Sequence, residues 1–293
     1  MKPIVYFSRN ITPENSLKLF KLLKINLTGK TAVKVNSGEA GNLNFIPPEF
    51  YRPLVFDVTG TICECNSVFP GQRNTTEKHV QLMNRHGWTK YFKVDICDAY
   101  GEEAILDIPK GRLLHQNIVG AHLLEYDSLL VVSHFVGHEC GGFAGALEQL
   151  SMGCASSVGK ALIHSAGRSN DVKSFFQNMA SQEDFTTSMA EAASSVVKYF
   201  KGKEAFINIA ANISLNCDCD PNAEGPCMRN IGLFASLDPV AVDKACLDAV
   251  AASEEPGKQK FLDKVNEKMG FNTLDCACAL GVGSVDYQLV CID

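Results

Sequence analysis

No stretch of this 293-residue chain approaches the roughly 18 continuous apolar residues of a membrane span. Its start, Met1-Lys2-Pro3-Ile4-Val5-Tyr6-Phe7-Ser8-Arg9, has neither the apolar run nor the small-residue cleavage site of a secretory leader. These two absences set the expectation of a cytoplasmic protein with no membrane partner. A basic face is missing too: 27 Lys and Arg stand against 33 Asp and Glu, for a formal net charge of −6, and the lysines are scattered. Nucleic-acid binders concentrate positive charge on one surface, so nucleic acid is not an expected partner. No Pro/Ser/Gly linker, charge block or internal repeat interrupts the chain. Residues 1–293 therefore read as a single family-sized domain; two α/β lobes also fit the length, with no visible boundary.

Two chemical motifs are absent as well. Gly153-Cys154-Ala155-Ser156-Ser157-Val158-Gly159-Lys160-Ala161 resembles a phosphate-binding P-loop. Its glycines are one residue too far apart, and Ala161 stands where the magnesium-binding hydroxyl belongs, which excludes a nucleotide triphosphatase. There is no tight ferredoxin-type Cys-x2-Cys-x2-Cys-x3-Cys-Pro run, so a cluster would have to gather ligands from distant loops.

What the chain does have is cysteine, 12 in all. In a reducing compartment these stay thiols, and such usage leans toward metal or redox chemistry. Cys97, Cys246 and Cys291 are expected to be small buried hydrophobes. Strand-like and helix-like segments alternate. Ile4–Phe7, Thr31–Val35, Gly60–Cys65, Ser128–Ser133, Ala205–Ile209 and Ile231–Ala235 read as strands, and Tyr287–Ile292 as the last. Pro13–Leu27, Thr75–His86, Phe143–Leu150, Asp184–Phe200 and the segment opened by Asp238-Pro239 read as helices. The fold class expected is α/β, a mainly parallel sheet flanked by helices.

In such sheets ligands bind beyond the carboxyl ends of the strands. Several predicted strands exit into loops bearing His, Cys, Asn and Gly. The sharpest is Ser133-His134-Phe135-Val136-Gly137-His138-Glu139-Cys140, where two imidazoles and a thiol suit zinc or iron. The second is Cys217-Asp218-Cys219; in extended chain both thiols point one way, toward a shared ion rather than toward each other. Cys63/Cys65 and Cys276/Cys278 repeat the Cys-x-Cys spacing, and packing is the better account of the latter pair. Gly141, Gly142 and Gly145 enter a helix and offer free amides to an anion, with Cys154 and Lys160 placed to line the same cleft. Arg73 and His79 are weaker candidates: Arg73 could pair a carboxylate through its planar fork, with ordinary surface charge the better account, and His79 reads as a solvated or capping residue.

The combination of Ser133-His134-Phe135-Val136-Gly137-His138, Gly141-Gly142-Phe143, Met152-Gly153-Cys154-Ala155-Ser156, Cys217-Asp218-Cys219 and Asp238-Pro239-Val240-Ala241 resembles the domain of unknown function 362 family, from about Tyr6 to Tyr287. Members of that family are often described as iron–sulfur or ferredoxin-associated because many carry an appended ferredoxin module, for which this sequence has no motif. The resemblance adds weight to His134, His138, Cys217 and Cys219 as metal ligands. The expectation is thus a metal ion, iron or zinc, or an iron–sulfur cluster, serving a redox role with a redox partner or a small anionic ligand. A zinc hydrolase or isomerase, with Glu139 or Asp218 as base, and a non-catalytic metal- or anion-binding accessory protein are the alternatives. Whether the protein is an enzyme, and its oligomeric state, are left open.

Overall fold

The computed structural model describes residues 2–293. Its strands are β1 (Ile4–Ser8), β2 (Thr31–Lys34), β3 (Thr61–Glu64), β4 (Val94–Ile96), β5 (Glu103–Asp107), β6 (Gln116–Gly120), β7 (Ser128–His134), β8 (Val136–His138), β9 (Gly142–Ala144), β10 (Glu204–Ala210), β11 (Gly232–Ser236) and β12 (Gln288–Cys291). The helices are α1 (Pro13–Leu22), α2 (Arg52–Asp57), α3 (Thr76–Arg85), α4 (Trp88–Tyr91), α5 (Ala146–Glu148), α6 (Ser157–His164), α7 (Gln182–Phe200), α8 (Pro239–Ala252), α9 (Lys258–Glu267) and α10 (Gly270–Leu280). Eight strands form one sheet in the order β12-β1-β11-β10-β7-β2-β3-β4. All its pairings are parallel except those of β11, which runs against both β10 and β1. The first and last strands lie side by side in this sheet. Among the described residues, no helix is long and apolar enough to cross a membrane.

Alternation along the central strands builds two cores. In β7, Leu129 and Val131 enter one apolar cluster while Leu130 and Val132 enter the other; in β10, Phe206 goes with the first and Ile207 and Ile209 with the second. Helices α1 and α2 contribute Leu19, Phe20 and Leu54 to the second core. On the opposite face α7 and α8 contribute Ala193, Val196, Val240 and Leu247 to the first. The mainly parallel α/β sheet with both faces covered is the fold class expected from the apolar strands.

Local signals explain most boundaries. Asp238 accepts the Ala241 amide at 2.8 Å and Pro239 occupies the first turn of α8. Thr75 caps α3 in the same way. The structure departs from the expected helix at Phe143–Leu150. Residues Gly142–Ala144 instead pair with Val136–His138 as a small hairpin, and α5 starts only at Ala146. Gly142 sits at φ +82°, a conformation that breaks the helix from the outset. Cys291, expected inside, is exposed on the edge strand β12, whereas Cys97 and Cys246 are buried. Edge strand β4, the β5–β6 hairpin and helix α6 have too short or too mixed a pattern to stand out in the sequence.

Asp243 of α8 ties the layers together. It is fully buried and accepts the amides of Ala146 and Leu147 at 2.7 and 2.9 Å and the Asn208 side-chain amide at 2.7 Å. Replacing it with Ala strands these buried donors, so Asp243→Ala is expected to lower unfolding free energy by about 3 kcal/mol in urea titrations, with Asp243→Asn intermediate.

Candidate functional site

The sheet has one place where neighbouring strands lead the chain in opposite directions. From β2 it moves outward through β3 and β4; β7 lies on the other side of β2, and β10 beyond β7. The crevice above β2 and β7 is where an open parallel sheet is expected to hold a ligand. A cleft is found there, with a cavity of about 70 Å³, and its walls include Lys34, Glu64, Arg73, His138, Glu148, Gln149, Lys160, His164 and Cys219.

The wall on the β3 side is organised by Glu64. This carboxylate is buried and accepts the Ser37 amide at 2.8 Å, the Ser37 hydroxyl at 2.6 Å and His79 Nε2 at 2.6 Å. Burial favours its neutral form, but the His79 hydrogen bond, with the Lys34 and Arg73 charges nearby, outweighs it and holds Glu64 ionised well below the usual carboxylate range, while burial pulls the His79 pKa down. Arg73 and His79, expected on the surface, are therefore buried: Arg73 lies 3.7 Å from Glu64, 3.6 Å from Glu39 and donates to Asn36 Oδ1 at 2.8 Å. Arg73 gains partners from the loop after β2 and His79 from the end of β3, contacts that local sequence does not report.

Lys34, at the end of β2, is buried and donates to Gln149 Oε1 at 2.9 Å. Gln149 opens a π-helical turn over Gln149–Gly153, directly after Glu148. A Cβ on Gly153 would lie 2.7 Å from Lys34 Cε, so a larger residue here would push the ends of Lys34 and Gln149 aside. Burial pushes Glu148 up to about 7, against the pull of Lys34, Lys160 and Arg73. The same desolvation pulls Lys160 down, aided by Lys34 and Arg73 and opposed by Cys65 and Asp98. A carboxyl group near neutrality beside buried cations can exchange a proton at physiological pH.

The third wall comes from β8 and the loop after β10. Gly137 N–H donates to Ser214 O at 2.8 Å, and a Cβ on Gly137 would sit 2.1 Å from Leu215 O, so this glycine permits the close approach. The loop is also held from the β2 side, where Glu39 N–H donates to Asp218 O at 2.7 Å and Asn42 Nδ2 donates to Cys217 O at 3.2 Å. His138, Cys217 and Cys219 thereby come together, with ligand atoms all within 4.8 Å of one another, a group that could hold a metal ion. Cys217 and Cys219 are joined as a disulfide. This corrects the expectation of two separate thiols. The segment is a turn, closed by Asp220 N–H on Cys217 O at 3.0 Å, rather than extended chain. Its Cα–Cα distance of 5.2 Å is within disulfide range.

The two histidines differ. His138 Nδ1 accepts the amides of Cys140 and Gly141 at 3.0 and 2.9 Å, and burial pulls its pKa down to about 4, so the ring is neutral with its proton on Nε2. His134 lies outside the group. Its Nδ1 meets Asp218 at 2.9 Å and its Nε2 meets Ala211 O at 2.5 Å. Both partners are acceptors, so both ring nitrogens donate. Burial works against the charge, but Asp218 and Ala211 O raise the pKa and keep the imidazolium. His134 thus has no lone pair for a metal; it pairs with Asp218 and braces the Cys217–Cys219 turn.

The glycine loop also lies elsewhere. Gly141, Gly142 and Gly145 do not line the cleft; the Gly141 amide serves His138, and the helix-end amides beyond Gly145 serve Asp243. Lys160 does line the cleft, while Cys154 is buried behind it and pushed up to about 12 by burial. Asp218 is engaged with His134, and Glu139 is exposed beside Lys264, so neither serves as a base in the cleft.

A family model described as "Domain of unknown function (DUF362)" matches residues 31–248. The chain belongs to this family. The DUF362 match covers every cleft residue named above. No curated protein matches the sequence. Among solved structures, the chain is similar to the lactate racemase apoprotein from Thermoanaerobacterium thermosaccharolyticum, at 16% identity and TM-score 0.42, over 70% of this chain and 50% of that one. It is also similar to a protein from Thermotoga maritima, at 13% identity and TM-score 0.46, over 91% of this chain and 58% of that one. This DUF362 chain thus spans half to three fifths of the length of those proteins. Neither likeness bears on activity.

Two buried neutral histidines make stability depend on acid. Burial lowers His138 to about 4 and His164 to about 3 from an ordinary 6.5. The unfolded chain therefore takes up protons near 6.5 that the folded chain refuses. Their contribution is full above pH 6.5 and is lost as pH falls through that window. His164 Nδ1 has no hydrogen-bond partner and its ring stacks on Phe185 at 4.5 Å. His164→Phe is expected to hold stability near pH 7 and to flatten the loss toward about pH 4, as read by urea titration across that range.

Proposed function

We propose that the protein is a thiol-redox enzyme of the switch-point cleft, acting on a small anionic substrate. The observation that carries this reading is the placement of the Cys217–Cys219 pair beside His138, with Cys219 and His138 in the same cleft wall as Lys34, Arg73 and Lys160. A thiol reductant opens the pair by exchange. The resulting dithiol passes two electrons and two protons to an oxidised group of the bound anion, and the sulfur–sulfur bond re-forms. Lys34, Arg73 and Lys160 supply the charge that attracts the anion. Neutral His138 presents an Nε2 proton, and Glu148, near neutrality, exchanges protons with the cleft.

The same residues support a second reading. When reduced, Cys217 and Cys219 with His138 form a ligand set for one zinc or iron ion. The ion would have to displace the His138 Nε2 proton, making its binding weaker as pH falls. An iron–sulfur cluster usually draws on four ligands, and this group offers fewer.

Mass spectrometry of alkylated protein, equilibrated in buffers of graded glutathione ratio, separates the readings. The redox reading expects Cys217 and Cys219 to titrate together between dithiol and disulfide. It also expects oxalate or phosphate to slow alkylation of Cys219 in wild type and to lose that effect by roughly tenfold in Arg73→Met. A pair that stays reduced at every ratio, with iron or zinc found by elemental analysis of anaerobic protein and lost in Cys217→Ser/Cys219→Ser, would replace it with the metal reading.

A further inference from the structure

A second cysteine group lies away from the Cys217–Cys219 pair, at the β3–β4 edge of the sheet. β3 and β4 are parallel neighbours with Cys63 opposite Asp95. The ladder continues one step beyond β4, where Cys97 N–H donates to Glu64 O at 2.7 Å, so Cys65 stands opposite Cys97. The sequence here reads Cys-x-Cys on one strand and Asp-x-Cys on the next. A strand's two-residue period places all four side chains on the same face.

We propose that Cys63, Cys65, Asp95 and Cys97 form a structural site for one zinc-class divalent ion. The ligand atoms of Cys63, Asp95 and Cys97 lie within 4.8 Å of one another, and the strand register sets Cys65 beside Cys97 as the fourth donor. Three sulfurs and one carboxylate oxygen are a donor set for tetrahedral zinc. All three cysteines are buried and unbridged. A thiol cluster of this kind brings no positive charge of its own; a divalent ion supplies it and turns thiols into thiolates.

The surroundings match those of a metal carboxylate. Asp95 Oδ1 is held by His122 Nδ1 at 2.8 Å and Asp95 Oδ2 by the Tyr126 hydroxyl at 2.8 Å. Such outer partners orient a ligand before an ion arrives. Asp95 and His122 are 21% and 28% exposed, which leaves an entry path on an otherwise closed site. The ion would pin β4, a three-residue edge strand, to β3 just below the Glu64 wall of the cleft.

The test uses the full chain carrying Cys217→Ser/Cys219→Ser, so that the cleft pair contributes no thiolate. Reduced protein is reconstituted with zinc, desalted and assayed for metal, and a cobalt(II)-loaded sample is scanned for thiolate-to-cobalt absorption. About one ion per chain and the charge-transfer band are expected. Adding Cys63→Ser/Cys97→Ser should abolish both. Asp95→Asn keeps the size of the side chain and all three thiols, and covers the case in which that variant fails to fold. Its zinc affinity, read by competition with a chromophoric chelator, should fall by roughly tenfold or more. No bound metal in the folded parent, metal retained after Cys63→Ser/Cys97→Ser, or unchanged affinity in Asp95→Asn would each overturn the site.

Discussion

A buried carboxylate must be matched by donors and positive charge, because desolvating it alone costs several kcal/mol. Glu64 has that need at the end of β3, and its partners come from three separate segments: Ser37 from the loop after β2, Arg73 from the loop after β3, and His79 from α3. Meeting the need of this one charge pulls those segments against the sheet. It thereby fixes the wall of the cleft. Arg73 is then held by Asn36, Glu39 and Glu64 rather than left to solvent.

The same desolvation acts on the other ionisable groups in opposite directions. It raises Glu148 toward neutrality, lowers Lys160, and keeps His138 and His164 uncharged. His134, with Asp218 and a carbonyl on its two nitrogens, instead has its pKa raised against burial. Two histidines four residues apart thus have different chemistry. One is a cation locked into an ion pair that shapes a loop; the other is a neutral donor facing the cleft.

The Cys217–Asp220 turn depends on contacts from both sides. Glu39 and Asn42 grip its backbone from the loop after β2, and Gly137 lets β8 approach the preceding residues closely. Without that bend the two cysteines would sit as alternate residues of extended chain, farther apart. Their juxtaposition with His138 is therefore a property of three loops at once.

By itself the sequence determined the class of fold. Continuous apolar strands such as Leu129–Val132, the Asp238-Pro239 helix start and the strand–helix alternation need only local periodicity and capping to be read, and they predict a mainly parallel covered sheet. It also singled out His138, Cys217 and Cys219 beyond the ends of β7 and β10, and Lys160 in the segment after Gly153, as candidate site residues. Tertiary structure alone decided which of those residues meet. It set the glycine loop apart from the cleft, with the Gly141 amide on His138 and the amides of Ala146 and Leu147 on Asp243, and set His134 aside as an ion-pair partner. It brought in Lys34, Glu64, Arg73, His79 and Glu148, whose roles arise from burial beside partners that are distant in sequence. Periodicity reports which face a residue takes; it carries no record of which charges are forced together when that face is closed off from water.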